Sequence, residues 1–207
     1  MKNSPPKHHN RRRLASSKGF SLVTTLILLV VVTVLGIGAS QMALLSERST
    51  RFDRDQQIAF QAAEAALVDA EFDIRGPNSF ASQRLASFSA DSATGFLETC
   101  GTGLLRGLCL PAISGQKPVW YANTVDFTDP SPSASTVQFG DFTGRTFING
   151  LTGARSEIPP HYIIEAIPDT TPGSSASSKK LLFRVTAMGF GPRKETQAVV
   201  QMIFRKE

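Results

Sequence analysis

No charged residue occurs in the 28 residues from Gly19 to Ser46, and this gap excludes an ordinary soluble surface for that stretch. Cysteine is scarce, with only Cys100 and Cys109, so a closed zinc site with four Cys or His ligands has too few donors. Histidine is limited to His8, His9 and His161. No Gly-x-Ser-x-Gly elbow, phosphate-binding Gly-rich loop, HExxH pair or Asp-x-Asp calcium loop is present. Gly101-Thr102-Gly103 has no third glycine at dinucleotide spacing and reads as a turn. His161 follows Pro159-Pro160 and is expected at the surface or a strand edge, not as a general base. Glu64, Asp69, Glu71 and Asp73 are expected to form a solvated or partner-facing helix surface. These residues predict neither an enzyme nor a cofactor or metal site.

The uncharged run exceeds the roughly 20 apolar residues that span a bilayer as a helix. Before it stand Lys2, Lys7, Arg11, Arg12, Arg13 and Lys18, with no acid among the first 18 residues. Taking those six from the 22 basic residues leaves 16 against 17 acidic ones, a net charge of −1. The basic excess therefore belongs to the leader, where it favours a cytoplasmic N-terminal end. It gives no reason to expect nucleic-acid binding. A secretory signal is cut after its apolar stretch and loses it. Here the small residue, Gly19, precedes Phe20 and the apolar run, so cleavage between them would leave the helix on the mature chain.

Beyond the membrane run, Ser46–Ile74 holds no Pro or Gly and is rich in alanine, which predicts one helix over Phe20–Arg75. Phe52, Ala59, Ala63, Ala66, Ala70 and Ile74 fall on one expected packing face. Glu47, Arg51 and Asp55 are spaced for i,i+4 pairing on another. Gly76-Pro77 is the expected stop. Further on, strands are expected at Val119–Ala122, Thr136–Phe142, Tyr162–Ile167, Leu181–Met188 and Gln197–Phe204. Loops are expected at Asp129–Ser135 and Asp169–Ser178. The predicted fold is α+β: a long helix, half of it transmembrane, packed on a C-terminal antiparallel sheet. Cys100 and Cys109, with eight residues between them, suggest a local disulfide if their domain is exported; the alternative is two buried or idle thiols.

Lys18-Gly19-Phe20-Ser21-Leu22-Val23 resembles the leader junction of type IV prepilins. That resemblance implies a peptidase that cuts after Gly19 and methylates the Phe20 amine. The family pattern places a glutamate at the fifth mature position, whereas this chain has Thr24 there. The segment Gln56-Gln57-Ile58-Ala59-Phe60-Gln61-Ala62-Ala63-Glu64-Ala65-Ala66-Leu67 is similar to the helix of PilX-type minor pilins. Gly107-Leu108-Cys109, Pro118-Val119-Trp120, Tyr162–Glu165 and Phe183–Gly189 resemble later segments of the same family.

The resemblance implies a type IV pilin-like fold, with a leader at 1–19, a transmembrane helix half at 20–45, a soluble half at 46–76 and a periplasmic globular domain at 77–207. It further implies a minor pilin that joins other minor pilins and the major pilin. Such a subunit passes through the prepilin peptidase and the inner-membrane assembly platform, primes the pilus near its tip beside a large adhesin, and supports twitching motility and adhesion. The expected location is the bacterial inner membrane, then the pilus. Neutral Thr24 suits a first subunit, which has no neighbour ahead whose amine needs a carboxylate. Two alternatives share this construction: a minor pseudopilin of a type II secretion system, and a single-pass anchored periplasmic binding domain.

Overall fold

A computed structural model describes residues 20–76, 84–150, 155–170 and 180–206. Helix α1 covers Phe20–Arg75, and strands follow at β1 (Leu108–Cys109), β2 (Val137–Gln138), β3 (His161–Pro168), β4 (Leu181–Phe190) and β5 (Gln197–Phe204). Contacts divide the chain into two compact units, Met1–Ser49 and Thr50–Glu207.

In the first unit, the described helix exposes its apolar side chains, including Leu22, Leu26, Leu29, Val32 and Leu35. It is long and apolar enough to cross a membrane. Its hydroxyls bond to carbonyls one turn back: Thr24 to Ser21 (3.0 Å), Thr25 to Leu22 (2.9 Å), Thr33 to Val30 (2.8 Å) and Ser40 to Gly36 (3.0 Å). Local bonding of this kind leaves no such polar group in need of water, as a lipid environment requires.

In the second unit, α1 packs on a mixed five-stranded sheet of order β1-β3-β4-β5. The three long strands are antiparallel, with Tyr162 opposite Ala187 and Ala187 opposite Val200. Two short strands follow one another along the other edge of β3: β1 runs parallel to it and β2 antiparallel. Alternation sends Phe183, Val185 and Ala187 of β4 towards Ala66, Ala70 and Ile74, joined by Tyr162, Ile164, Phe88 and Phe96. A second cluster holds Ile163 and Phe190 with Val119, Phe127 and the two cysteines, so β3 is buried on both faces. Alanine allows close approach. A Cβ added at Gly189 would lie 2.2 Å from both the Ala59 carbonyl oxygen and the Ala63 nitrogen.

The helix ends at Gly76, whose φ of +71° suits glycine and whose N–H reaches the Phe72 carbonyl at 2.8 Å. Pro77 lies outside the described residues. Several expectations need correction. Val119–Ala122 is no strand: Pro118 leads into a 3-10 turn at Val119–Tyr121. The Thr136–Phe142 expectation shortens to Val137–Gln138, because Gly140 (φ +88°) turns the chain away. Phe52 is 58% exposed and leaves the packing face to the alanines. Asp55 is buried and takes Arg54 (3.2 Å) and Arg193 (3.7 Å) as ion partners. The Asp129–Ser135 loop holds a buried Ala134, and most of Asp169–Ser178 lies outside the described residues.

Candidate assembly surface and its buried carboxylates

Among the residues singled out from sequence, Gly19 lies outside the described residues. Phe20 is the first residue of α1. Thr24 sits one turn inside, with its hydroxyl on the Ser21 carbonyl. A β-hydroxyl closing on its own helix is a neutral device: it adds no charge to an apolar surface, where a carboxylate would need a partner. Lower on α1, Phe52, Phe60, Val68 and Phe72 are each more than 40% exposed. At 3.6 residues per turn they occupy different faces: Phe60 lies beside Gln56, Gln57, Gln61 and Glu64, Val68 and Phe72 lie opposite the alanine phase, and Phe52 continues that phase.

The carboxylate cluster behaves differently from its expectation. Asp69 and Asp73 are fully buried, not solvated. They share the helical phase of Ala66, Ala70 and Ile74, and this phase was the signal in the sequence that locates them inside. Asp69 accepts hydrogen bonds from the Gly140 N–H (2.8 Å) and the Thr143 hydroxyl (2.6 Å), with Arg145 at 3.7 Å. Burial pushes its pKa up against these three partners. Asp73 receives the Arg84 Nε at 2.9 Å on both oxygens and the Tyr162 hydroxyl at 3.1 Å. Burial again raises its pKa, and Arg84 opposes the rise.

Arg84 is itself fully buried, with its guanidinium 3.7 Å from the Phe142 ring centroid and one nitrogen donating to the Leu104 carbonyl. Two helix carboxylates thus hold two stretches that have little regular structure of their own.

His161 is also a correction. It is buried on β3, where Thr136 Oγ1 lies 3.0 Å from its Nδ1. Burial, with help from Arg106, lowers its pKa to about 4. At neutral pH it is an uncharged core residue. Cys100 and Cys109 form a disulfide, both fully buried. Cys100 has φ +61°, and the returning loop is held by the Gly107 N–H on the Cys100 carbonyl at 2.7 Å. Among the described residues, no group of three or more His, Cys, Asp or Glu side chains could hold a metal ion.

The arrangement therefore offers surfaces: an exposed apolar helix in the first unit and, in the second, exposed apolar side chains on a helix whose alanine face packs on the sheet. Comparison with known proteins gives this a family. The PilX N-terminal family model matches residues 18–68, and that of the type IV pilus assembly protein PilX C-terminal region matches residues 105–206. No curated protein and no solved structure matches the chain. With both halves matched in order, the helix by one model and the sheet by the other, the chain belongs to the PilX family of type IV pilus assembly proteins.

Proposed function

We propose that this protein is a minor pilin that primes type IV pilus assembly with other minor pilins, at or near the filament tip. Family membership supports the pilus role. Thr24 is the observation that carries the tip position. An interior subunit places a carboxylate where it pairs with the amine of a neighbour, and a charge without that partner is costly in an apolar bundle. A leading subunit has no such neighbour, and a threonine whose hydroxyl closes on Ser21 meets that situation at no electrostatic cost.

In this reading residues 1–19 are a leader removed by prepilin peptidase, which leaves Phe20 as the methylated N-terminus. Residues 20–45 anchor the chain in the inner membrane, 46–76 continue the helix in the periplasm, and 77–207 complete the globular domain. The exposed apolar side chains Phe60, Val68 and Phe72 are surfaces for other pilins on the assembly platform. A large tip adhesin and the major pilin complete the set of partners, with twitching motility and adhesion as the outcome.

Mass spectrometry of the mature chain tests the processing step. A methylated Phe20 N-terminus is expected, and a mature chain that retains Met1 would overturn it. Position is tested separately by gold labelling of sheared filaments with an antibody to the globular unit. Label at filament ends is expected, and label spread along shafts sinks the tip assignment. Thr24→Glu should leave cleavage unchanged while reducing pilus number.

A further inference from the structure

The ladder between β4 and β5 ends with Phe183 opposite Phe204, and beyond that pair the two strands part. Leu181 and Leu182 stay paired with β3, while Arg205 and Lys206 run on outside the sheet. The Leu181 N–H reaches the Ala90 carbonyl at 2.7 Å, which brings the turn at Ala90 and Asp91 into the fork. A cavity of about 280 Å³ lies there, with Ala90, Leu181 and Leu182 as its apolar wall. Its charged groups are not all spoken for. Arg205 and the buried Asp169 side chain serve each other at 2.9 Å. Lys206 is different: it is half-buried, and among the described residues no carboxylate pairs with it. Its ammonium stands 5.8 Å from the Phe88 ring centroid. Burial lowers its pKa, and no acid counters the fall. A cation that gives up water without gaining a counter-ion is unfavourable, and this one lines a cavity. Lys180 and Asp91, both exposed, complete the rim. With Arg205 and Asp169 cancelling, two lysines against one aspartate leave the lining at +1.

We propose that this cavity binds a small sugar acid, with its carboxylate against Lys206 and Lys180, a hydroxyl donating to Asp91, and its ring on Leu181 and Leu182. The lining selects that chemistry. A single net positive charge matches a monoanion, whereas Asp91 repels a dianionic phosphate group. Asp91 accepts and cannot donate, so the ligand must bring a donor of its own. The volume stands at the lower end of the roughly 300–1,000 Å³ usual for small-molecule sites, which suits one ring and not a long chain. The cavity lies within the second unit and does not depend on where in a filament the subunit sits.

The test titrates the full chain in detergent micelles with glucuronate, read by ligand-observed saturation-transfer NMR. Glucuronate should bind, and more weakly as salt is raised. Glucose keeps the ring without the carboxylate, and inorganic phosphate keeps an anion without the ring; each should bind at least tenfold more weakly. Lys206→Gln removes the unpaired cation and should weaken glucuronate at least tenfold at unchanged Tm. Should that variant fail to fold, Lys180→Gln at the exposed rim gives the same reading. No glucuronate binding, phosphate held as tightly as glucuronate, or undiminished affinity in the lysine variants would overturn the site.

Discussion

At the residue scale, the buried pair Arg84–Asp73 and the buried carboxylate of Asp69 set the sharpest expectations. Both side chains of the pair are fully buried, so Arg84→Ala strands a carboxylate among Tyr162, Phe142 and the helix. Removing one partner of a buried pair typically costs about 3–5 kcal/mol. Urea unfolding monitored by circular dichroism should show a loss of that size, whereas a change under 1 kcal/mol would mean that the pair is not enclosed. Asp69 allows a pH test. Burial raises its pKa above the ordinary value of 3.8, so the folded state prefers the protonated acid. The stability gained from that preference is complete below 3.8 and is lost as pH rises through the raised value. Asp69→Asn carries no charge to bury and should flatten the denaturant midpoint across the same acid range. An unaltered profile in the variant would assign the slope to other groups.

At the element scale, the helix–sheet contact depends on what is missing at Gly189. A methyl group there would lie 2.2 Å from backbone atoms of α1 at Ala59 and Ala63, which cannot rotate away. Gly189→Ala should therefore destabilise the globular unit by about 3 kcal/mol or more, at the upper end for an overpacked core. Thermal unfolding measures this, and a neutral result would mean that α1 shifts freely on the sheet.

The same interface shows what was legible beforehand. The alanine phase of α1 and the apolar alternation of β4 and β5 are long, regular patterns, and their burial followed. The two-residue strands β1 and β2 have no period to read and exist because β3 offers them an edge. Asp69, Asp73 and His161 depart from expectation for a common reason. Polar residue type suggested solvent, while their position in the helical or strand phase placed them inside. Phe52 is the converse case, an apolar side chain left exposed one turn or more beyond the last contact with the sheet.

At the scale of the whole molecule, the disulfide joins stretches that the sheet alone would leave loosely connected. Cys109 belongs to β1, and Cys100 lies nine residues before it in an irregular loop. Replacing both with alanine should cost about 2–3 kcal/mol on the chain-entropy estimate for so short a loop. A differential melt of oxidised wild type against the double variant reads this. Because both sulfurs are buried, the native protein should resist thiol reagents until it unfolds, and rapid reduction at full native signal would contradict the burial.

The two family matches leave residues 69–104 uncovered, and Asp69, Asp73, Arg84 and Cys100 all fall in that interval. Each reaches into the matched half or across the interval itself: Asp69 to Gly140 and Thr143, Asp73 to Tyr162, Cys100 to Cys109. Chimeras between family members therefore have a defined unit of exchange. A helix from one relative joined to the sheet of another at residue 68 or 105 severs these ties, while the interval transplanted together with Cys109, the 139–145 turn and Tyr162 carries its own fastenings.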